Sequence, residues 1–400
     1  MNTHATPRVG PLAGRPDGVP HLDVDALIDD AATRIIVCCG SGGVGKTTTS
    51  AAVALRAAER GRKVVVLTID PARRLAQSLG IERLDNTPRP VTDIEGTGSL
   101  DAMMLDMKST FDEVVESQAS PEKAAQILAN PFYVALSTSF AGTQEYMAME
   151  KLGQLDADRT RTGRWDLIVV DTPPSRSALD FLDAPERLSS FLDGRFIRLM
   201  LAPAKGPARL MSAGLGVITS TLTKILGAQV LKDMQTFVAA FDTLFGGFRA
   251  RAQKTFELLQ APGTAFLVVA APEPDALREA AYFVERLKAE RMPLAGLVVN
   301  RVSVTPPGGL SGDSAHAAAE RLDERSARPE DNAGDSDGDR LTAALLRLHA
   351  DRVTIATREA RLRQRFTAAH PGVPAAAVPA LPTDVHDLTG LREVGDLLAR

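Results

Sequence analysis

Residues 34–48 read Arg34-Ile35-Ile36-Val37-Cys38-Cys39-Gly40-Ser41-Gly42-Gly43-Val44-Gly45-Lys46-Thr47-Thr48. An apolar run leads into a glycine loop, and an alanine-rich stretch of helical character follows over 50–60. Strand, loop and helix in this order are the context in which such a pattern is a phosphate-binding loop. The glycines let backbone N–H groups curl round a polyphosphate, and the helix N-terminus adds its positive dipole end. Lys46 has the reach for the β- and γ-phosphates, and the Thr47 hydroxyl suits Mg²⁺. The nucleotide-binding set read from this run is Gly40, Ser41, Gly42, Gly43, Val44, Gly45, Lys46, Thr47 and Thr48.

Apolar strand-like runs recur outward from the loop at 64–69, 102–106, 167–171, 265–270, 294–300 and 376–381. Most are continuous rather than alternating, as in strands buried on both faces of a parallel sheet. Helical patterns separate them, for example over 274–290 and 341–367. The expectation is an α/β fold of the P-loop NTPase kind, a doubly wound, mostly parallel sheet with nucleotide at its C-terminal edge.

Three segments depart from this rhythm. Residues 1–30 form a tail and lead-in, the tail polar and rich in Pro and Gly, and disorder is expected there. Residues 107–160 and 181–260 read as an inserted helical subdomain. Within it, apolar residues from Leu222 to Phe248 recur at spacings of three and four, a stripe that packs the subdomain's own core or receives a client helix. The region 303–340, charged and opening on Pro306-Pro307-Gly308-Gly309, is expected to be a flexible acidic insertion with solvated charges. The domain proper is placed at 31–400.

Composition narrows the function classes. Four hundred residues, 44% of them hydrophobic, can bury a large core, and a net charge of −4 gives no global pull toward nucleic acid. The only cysteines, Cys38 and Cys39, are adjacent in a strand. They point to a buried structural role in a reducing compartment. No secretory signal is legible, and the uncharged run 210–223 is too short to span a bilayer. A cytoplasmic location is expected.

Two more strands end in carboxylates. Trp165-Asp166-Leu167-Ile168-Val169-Val170-Asp171 places an acid where a Walker B residue holds an Mg²⁺-bound water. Asp70 closes Val64-Val65-Val66-Leu67-Thr68-Ile69-Asp70, a strand expected to lie beside the loop strand. From there it could orient the attacking water, or, being followed by Pro71, cap a helix.

At this point the sequence resembles the arsenite-pump and tail-anchored-protein-targeting ATPases (ArsA-type), within the deviant-Walker class that includes MinD and ParA. The resemblance rests on GSGGVGKTT at 40–48, TIDPA at 68–72, GTQEYMAMEKL at 142–152 and VVDTPPSRSALDFLDAP at 169–185. VVNR at 298–301 and PALPTDVHDLTGL at 379–391 complete it. It implies ATP and Mg²⁺ as cofactors, a dimer closing around ATP, and a switch I catalytic role for Asp70 beside Lys46. It implies that Asp171 and Thr47 serve the metal, Asp171 through water. It also implies that Asn300 contacts adenine and that the loop holding Pro382 and Asp384 closes over the base.

The departures from that family are informative. No C-x-x-C pair exists for interface zinc, and the metalloid-sensing cysteines are missing, so neither site is expected. In the family the position of Ser41 is a lysine that crosses to the partner's phosphates. Three arrangements can supply its charge or do without it: a lysine-bearing paralogue in a heterodimer, which is preferred over a homodimer; a local arginine among Arg73, Arg74 and Arg176; or slow hydrolysis by an ATP-binding regulatory subunit. A MinD/ParA-like positioning ATPase is a further alternative, and it would need a basic amphipathic last helix, whereas 391–400 carries both signs. The Asn300-Arg301-Val302-Ser303 segment does not match a guanine-specific motif. The reading is an ATP-hydrolysing switch whose helical subdomain binds a partner or a hydrophobic-helix client, with no nucleic acid.

Overall fold

The computed structural model describes residues 20–70, 74–131, 143–173, 250–305, 309–327 and 336–400, with isolated positions at 133, 134, 137 and 247. The strands are β1 Ile35–Cys39, β2 Lys63–Thr68, β3 Arg89–Pro90, β4 Ser99–Met104, β5 Leu167–Asp171, β6 Thr264–Ala270, β7 Leu294–Val302 and β8 Ala375–Pro379. They form one sheet in the order β3-β4-β2-β5-β1-β6-β7-β8, parallel throughout except for the antiparallel edge strand β3. The doubly wound parallel sheet is therefore as expected; the two-residue β3 has no signal in the sequence pattern.

Continuous apolar strands give each sheet face its own core, because successive side chains point to opposite sides. Ile35, Val37 and Cys39 join Val65, Leu67, Ile168 and Val170 in one cluster, under α4 (Met107–Gln118), α6 (Thr143–Thr162) and α7 (Pro274–Ala289). Ile36 and Cys38 join Val64, Val66, Leu167 and Val169 in the other, under α1 (Val24–Asp29), α2 (Lys46–Glu59) and α10 (Leu388–Leu398). Cys38 and Cys39 thus face opposite cores, both fully buried. Burial pushes the Cys38 thiol up to about 12 and raises Cys39 as well, which suits inert packing.

The strand order corrects one expectation. β5, and not β2, lies beside β1 on that side, so Asp70 is one strand further from the loop than the sequence reading placed it.

Two boundaries also move. Within 1–30, residues from 20 onward belong to the fold. His21 bridges to Ala375, Asp23 caps α1 by accepting from the Ala26 N–H, and Val24 and Ile28, one turn apart, are fully buried. Within 303–340 the described residues are largely helical, where the sequence reading expected a flexible insertion. α8 (Gly312–Ser326) begins at the Ser311 cap, and α9 (Ser336–Ala369) starts well before residue 341. Alanines carry this pairing, with Ala315, Ala319, Ala343 and Ala350 all fully buried, and alanine has the highest helix propensity. The acidic composition masked that pattern.

The described residues between β4 and β5 include the helices α4, α5 (Pro121–Leu128) and α6, and α3 (Arg74–Ser78) follows β2. Most of 181–260, including nearly all of the Leu222 to Phe248 stripe, lies outside the described residues, as do Arg73 and Arg176.

Candidate functional site

Parallel strands in register bring their C-terminal ends level, and that alone assembles most of the site. Cys38 is opposite Asp171, and Asp171 is opposite Thr68. The loop after β1 therefore opens beside the last residue of β5. Gly40 lies against the neighbouring strand so closely that a Cβ would sit 2.1 Å from the Val269 carbonyl oxygen. Gly45, at φ +95°, is the residue before α2 and supplies no side-chain cap. The first N–H groups of α2 are thereby left for a ligand at the helix N-terminus.

Lys46 is 5% exposed, and its Nζ donates to the Ser41 carbonyl at 2.7 Å across the loop. Burial pulls its pKa down, and the nearby Asp171 carboxylate partly offsets this. The Thr47 hydroxyl donates to Asp171 Oδ2 at 2.8 Å, and the Thr68 hydroxyl donates to the same oxygen at 2.9 Å. Asp171 is fully buried, and among the described residues its Oδ1 has no hydrogen-bond partner. Burial pushes the carboxyl up to about 6, against the pull of the two hydroxyls and Lys46.

A buried carboxylate with one oxygen unpaired is costly unless something else occupies it. A hydrated Mg²⁺ is such a partner, and an oxygen-only set of one hydroxyl and one carboxylate suits it. Thr47 would bind it directly and Asp171 through water. Bound there with nucleotide, the metal would neutralise charge on the phosphates.

Asp70 is half-buried just beyond β2. Its N–H donates to the Thr68 hydroxyl at 3.2 Å, so one threonine ties the Asp70 backbone to Asp171. The Gln144 side chain in α6 donates to the Ile69 carbonyl at 2.9 Å, linking the helical layer to the residue before Asp70. Residues 71–73 are outside the described residues, so the helix-capping alternative for Asp70 meets no observation. Arg74 is exposed at the start of α3.

Asn300, 8% exposed near the end of β7, points its amide at the loop. Its Nδ2 donates to the Val44 carbonyl at 2.9 Å, and its Oδ1 accepts from the Arg301 N–H at 3.0 Å. A Cβ on Gly45 would lie 2.1 Å from that Nδ2. Asn300 thus buttresses the phosphate loop in this structure. Pro382 and Asp384 are exposed in the segment after β8, two strands from β6 along the same sheet edge.

Sequence reasoning missed three participants. Thr68 was visible as the polar residue of an otherwise apolar strand end. Gln144 lies within the GTQEYMAMEKL block, but its partner is a backbone carbonyl that no pattern reveals. Arg301 donates from Nη1 to the Gly43 carbonyl at 3.1 Å and holds φ +62°, a left-handed conformation uncommon for residues other than glycine. With Ser41, Gly43, Glu273 and Glu279 it lines a cleft of about 450 Å³ on the outer side of the loop.

A glycine loop between a central parallel strand and a helix, with a buried lysine, a hydroxyl and a carboxylate aligned on it, defines a P-loop nucleoside triphosphatase. Residues 33–308 match the profile of the anion-transporting ATPases (ArsA), and the chain belongs to that ATPase family. It is 26% identical to an "ATPase GET3" of Malassezia globosa over 284 residues, 70% of this chain and 76% of that protein. It is 27% identical to an "ATPase ASNA1 homolog" of Cryptosporidium parvum over 278 residues, covering 69% and 68%. An "Arsenical pump-driving ATPase" of Acidiphilium multivorum is 31% identical over 156 residues, 38% of this chain and 26% of that one. Among the described residues no helix is long and apolar enough to cross a membrane.

Proposed function

We propose that the chain binds Mg-ATP on the loop 40–48 and hydrolyses it, as a dimeric cytoplasmic switch that couples nucleotide state to partner binding. The observation that carries this reading is the buried, half-satisfied Asp171 carboxylate held beside Thr47, with Lys46 poised across the loop. Lys46 and the α2 N–H groups bind and orient the polyphosphate, and Lys46 stabilises charge that grows on it during transfer. Asp70 orients the attacking water and accepts its proton, anchored through Thr68. A shift of Asp70 on hydrolysis is passed to α6 through the Gln144 bond to Ile69, which supports coupling to helices that hold a partner or a hydrophobic client helix. Asn300 reaches adenine in this reading by releasing Val44, and the segment with Pro382 and Asp384 covers the base.

Ser41 favours a second reading, an ATP-binding subunit with slow turnover of its own, completed by a lysine-bearing paralogue in a heterodimer. Its side of the loop carries no lysine, and its carbonyl is engaged by Lys46.

Phosphate release by the purified chain, alone and mixed with its paralogue, tests both. Asp70→Asn retains ATP binding and loses hydrolysis if the assignment is right; hydrolysis at the original rate would sink it. Equal rates per site with and without the paralogue would remove the heterodimer, and Ser41→Lys is expected to activate the single subunit.

A further inference from the structure

The longest helix among the described residues, α9, carries an uncovered apolar stripe. Leu341, Leu345, Leu348 and Ile355 are 63%, 57%, 56% and 50% exposed. With Arg352 they recur at intervals of four, three, four and three residues, the spacing of a coiled-coil seam. The opposite side of α9 is already occupied. Ala343 and Ala350 are fully buried where α8 packs, and Arg325–Asp339 and Arg347–Asp323 ion pairs tie the two helices together. The stripe is thus the outer face of a finished helical hairpin rather than half of an unfinished core.

The hairpin stands out from the nucleotide edge. Both Glu359 carboxylate oxygens accept from Ser303, just past the C-terminal end of β7, and α9 then returns to the start of β8. Residues 336–358 therefore continue for about 34 Å beyond the sheet edge that bears the phosphate loop. The whole stripe lies on this projecting part, and the family match ends before it, at residue 308.

We propose that this face pairs with the same face of a second copy of this chain, antiparallel, about a two-fold axis near Leu348. The seam itself chooses that arrangement. Parallel pairing would set Arg352 against Arg352 across the seam, whereas antiparallel pairing sets it against the partner's leucines and Leu341 against Ile355. The flanking charges agree. Asp337 and Arg358 lie three heptads apart on the same side of the stripe, so the axis brings each opposite the other on the partner helix. The Asp337 side chain is 98% exposed, and its one ion pair among the described residues is a long 3.7 Å contact to Arg340. Arg358 is exposed and, among the described residues, makes no ion pair. Because each hairpin projects from the nucleotide edge, the pairing turns the two phosphate loops toward each other. Four large apolar side chains per copy make a small seam, so the contact is a dissociable one, with a Kd on the order of micromolar. It requires no nucleotide.

Sedimentation velocity of the full chain without nucleotide tests this. The wild type is expected to shift from dimer to monomer on dilution. Leu345→Glu with Leu348→Glu is expected to weaken self-association by at least about tenfold, with an unchanged melting temperature at concentrations where both proteins are monomeric, since both side chains are exposed. Asp337→Arg alone is expected to weaken the dimer, and adding Arg358→Asp to restore it. Asp337→Cys mixed with Arg358→Cys and treated with oxidised glutathione is expected to give the mixed disulfide, cleanly because both native cysteines are buried. A wild type that stays monomeric at every concentration overturns the proposal, as does a dimer indifferent to the two glutamates. A monomer whose melting temperature falls with the glutamates shows that the stripe packs on this chain itself, and also overturns it. A 337–337 disulfide in the single variant would mean parallel pairing and reject the arrangement.

Discussion

The sheet edge and the α8–α9 hairpin distribute their side chains in opposite ways. At the edge, ionisable groups are buried: Lys46 is 5% exposed and Asp171 not at all, and Asp171 Oδ1 lacks a partner among the described residues. On the hairpin, alanines are buried and leucines face water. Each is unfavourable for an isolated subunit. A buried half-paired carboxylate lowers stability, and exposed leucines forgo burial. On the readings proposed above, each becomes favourable on binding, of a metal and polyphosphate in one case and of a second helix in the other. Violations of the ordinary inside–outside rule thus mark where the molecule meets something else.

This contrast can be broken experimentally. The largest effect is expected from Lys46→Ala, which should cut ATP hydrolysis by on the order of a thousandfold, measured as phosphate release, while the fold persists. Next come two truncations that compare the regions directly. Phe266→Ala, in the fully buried centre of β6, should cost about 3–5 kcal/mol in denaturant unfolding. Leu348→Ala, on a side chain 56% exposed, should change stability by less than about 0.5 kcal/mol under conditions where the protein is monomeric. Equal costs would erase the distinction between core and stripe.

Asp171→Asn sharpens the argument about the edge. The folded carboxyl titrates near 6 against an ordinary 3.8, so the empty protein loses stability as pH rises from about 4 to 6 and carries the full deficit above that. The deficit is roughly 3 kcal/mol. The asparagine should therefore raise the melting temperature of the nucleotide-free protein at pH 8 and much less at pH 5, while Mg²⁺-dependent ATP binding is lost. A melting temperature that falls equally at both pH values would show that Asp171 is structural.

A smaller effect than at Asp171 is expected on the far side of α2. Arg56 pairs with Asp25 of α1 and with Asp396 of α10, and its hydrogen bond holds the Asp25 carboxyl below the usual range. A lowered folded pKa contributes stability above the unfolded value and loses it as pH falls through the folded one. Arg56→Ala should thus cost about 1 kcal/mol at neutral pH and almost nothing in acid, by thermal unfolding.

Much of this was legible in the residues. The phosphate loop could be read because glycine positions with close backbone approaches leave few alternatives, as Gly40 against Val269 and Gly45 against Asn300 show. The buried strands were legible because continuous apolar runs have one common use in an α/β chain. The hairpin was not, since its alanines carry little hydrophobic signal among so many charges, and charge alone reads as loop. The neighbour of Asp70 was also misplaced, because strand order is a non-local choice that β2 does not encode.

By itself, then, the amino-acid sequence determined the chemistry of the loop, the kind of sheet and the family. These depend on local spacing, where a glycine, a lysine or a run of valines has a meaning set within a few residues. Only the tertiary structure decided that Thr68 shares Asp171 with Thr47, that Asn300 and Arg301 brace the loop from 256 and 258 residues away, and that the leucines of α9 face outward. Those facts follow from strand register and helix rotation, which are settled by packing across the whole chain rather than along it.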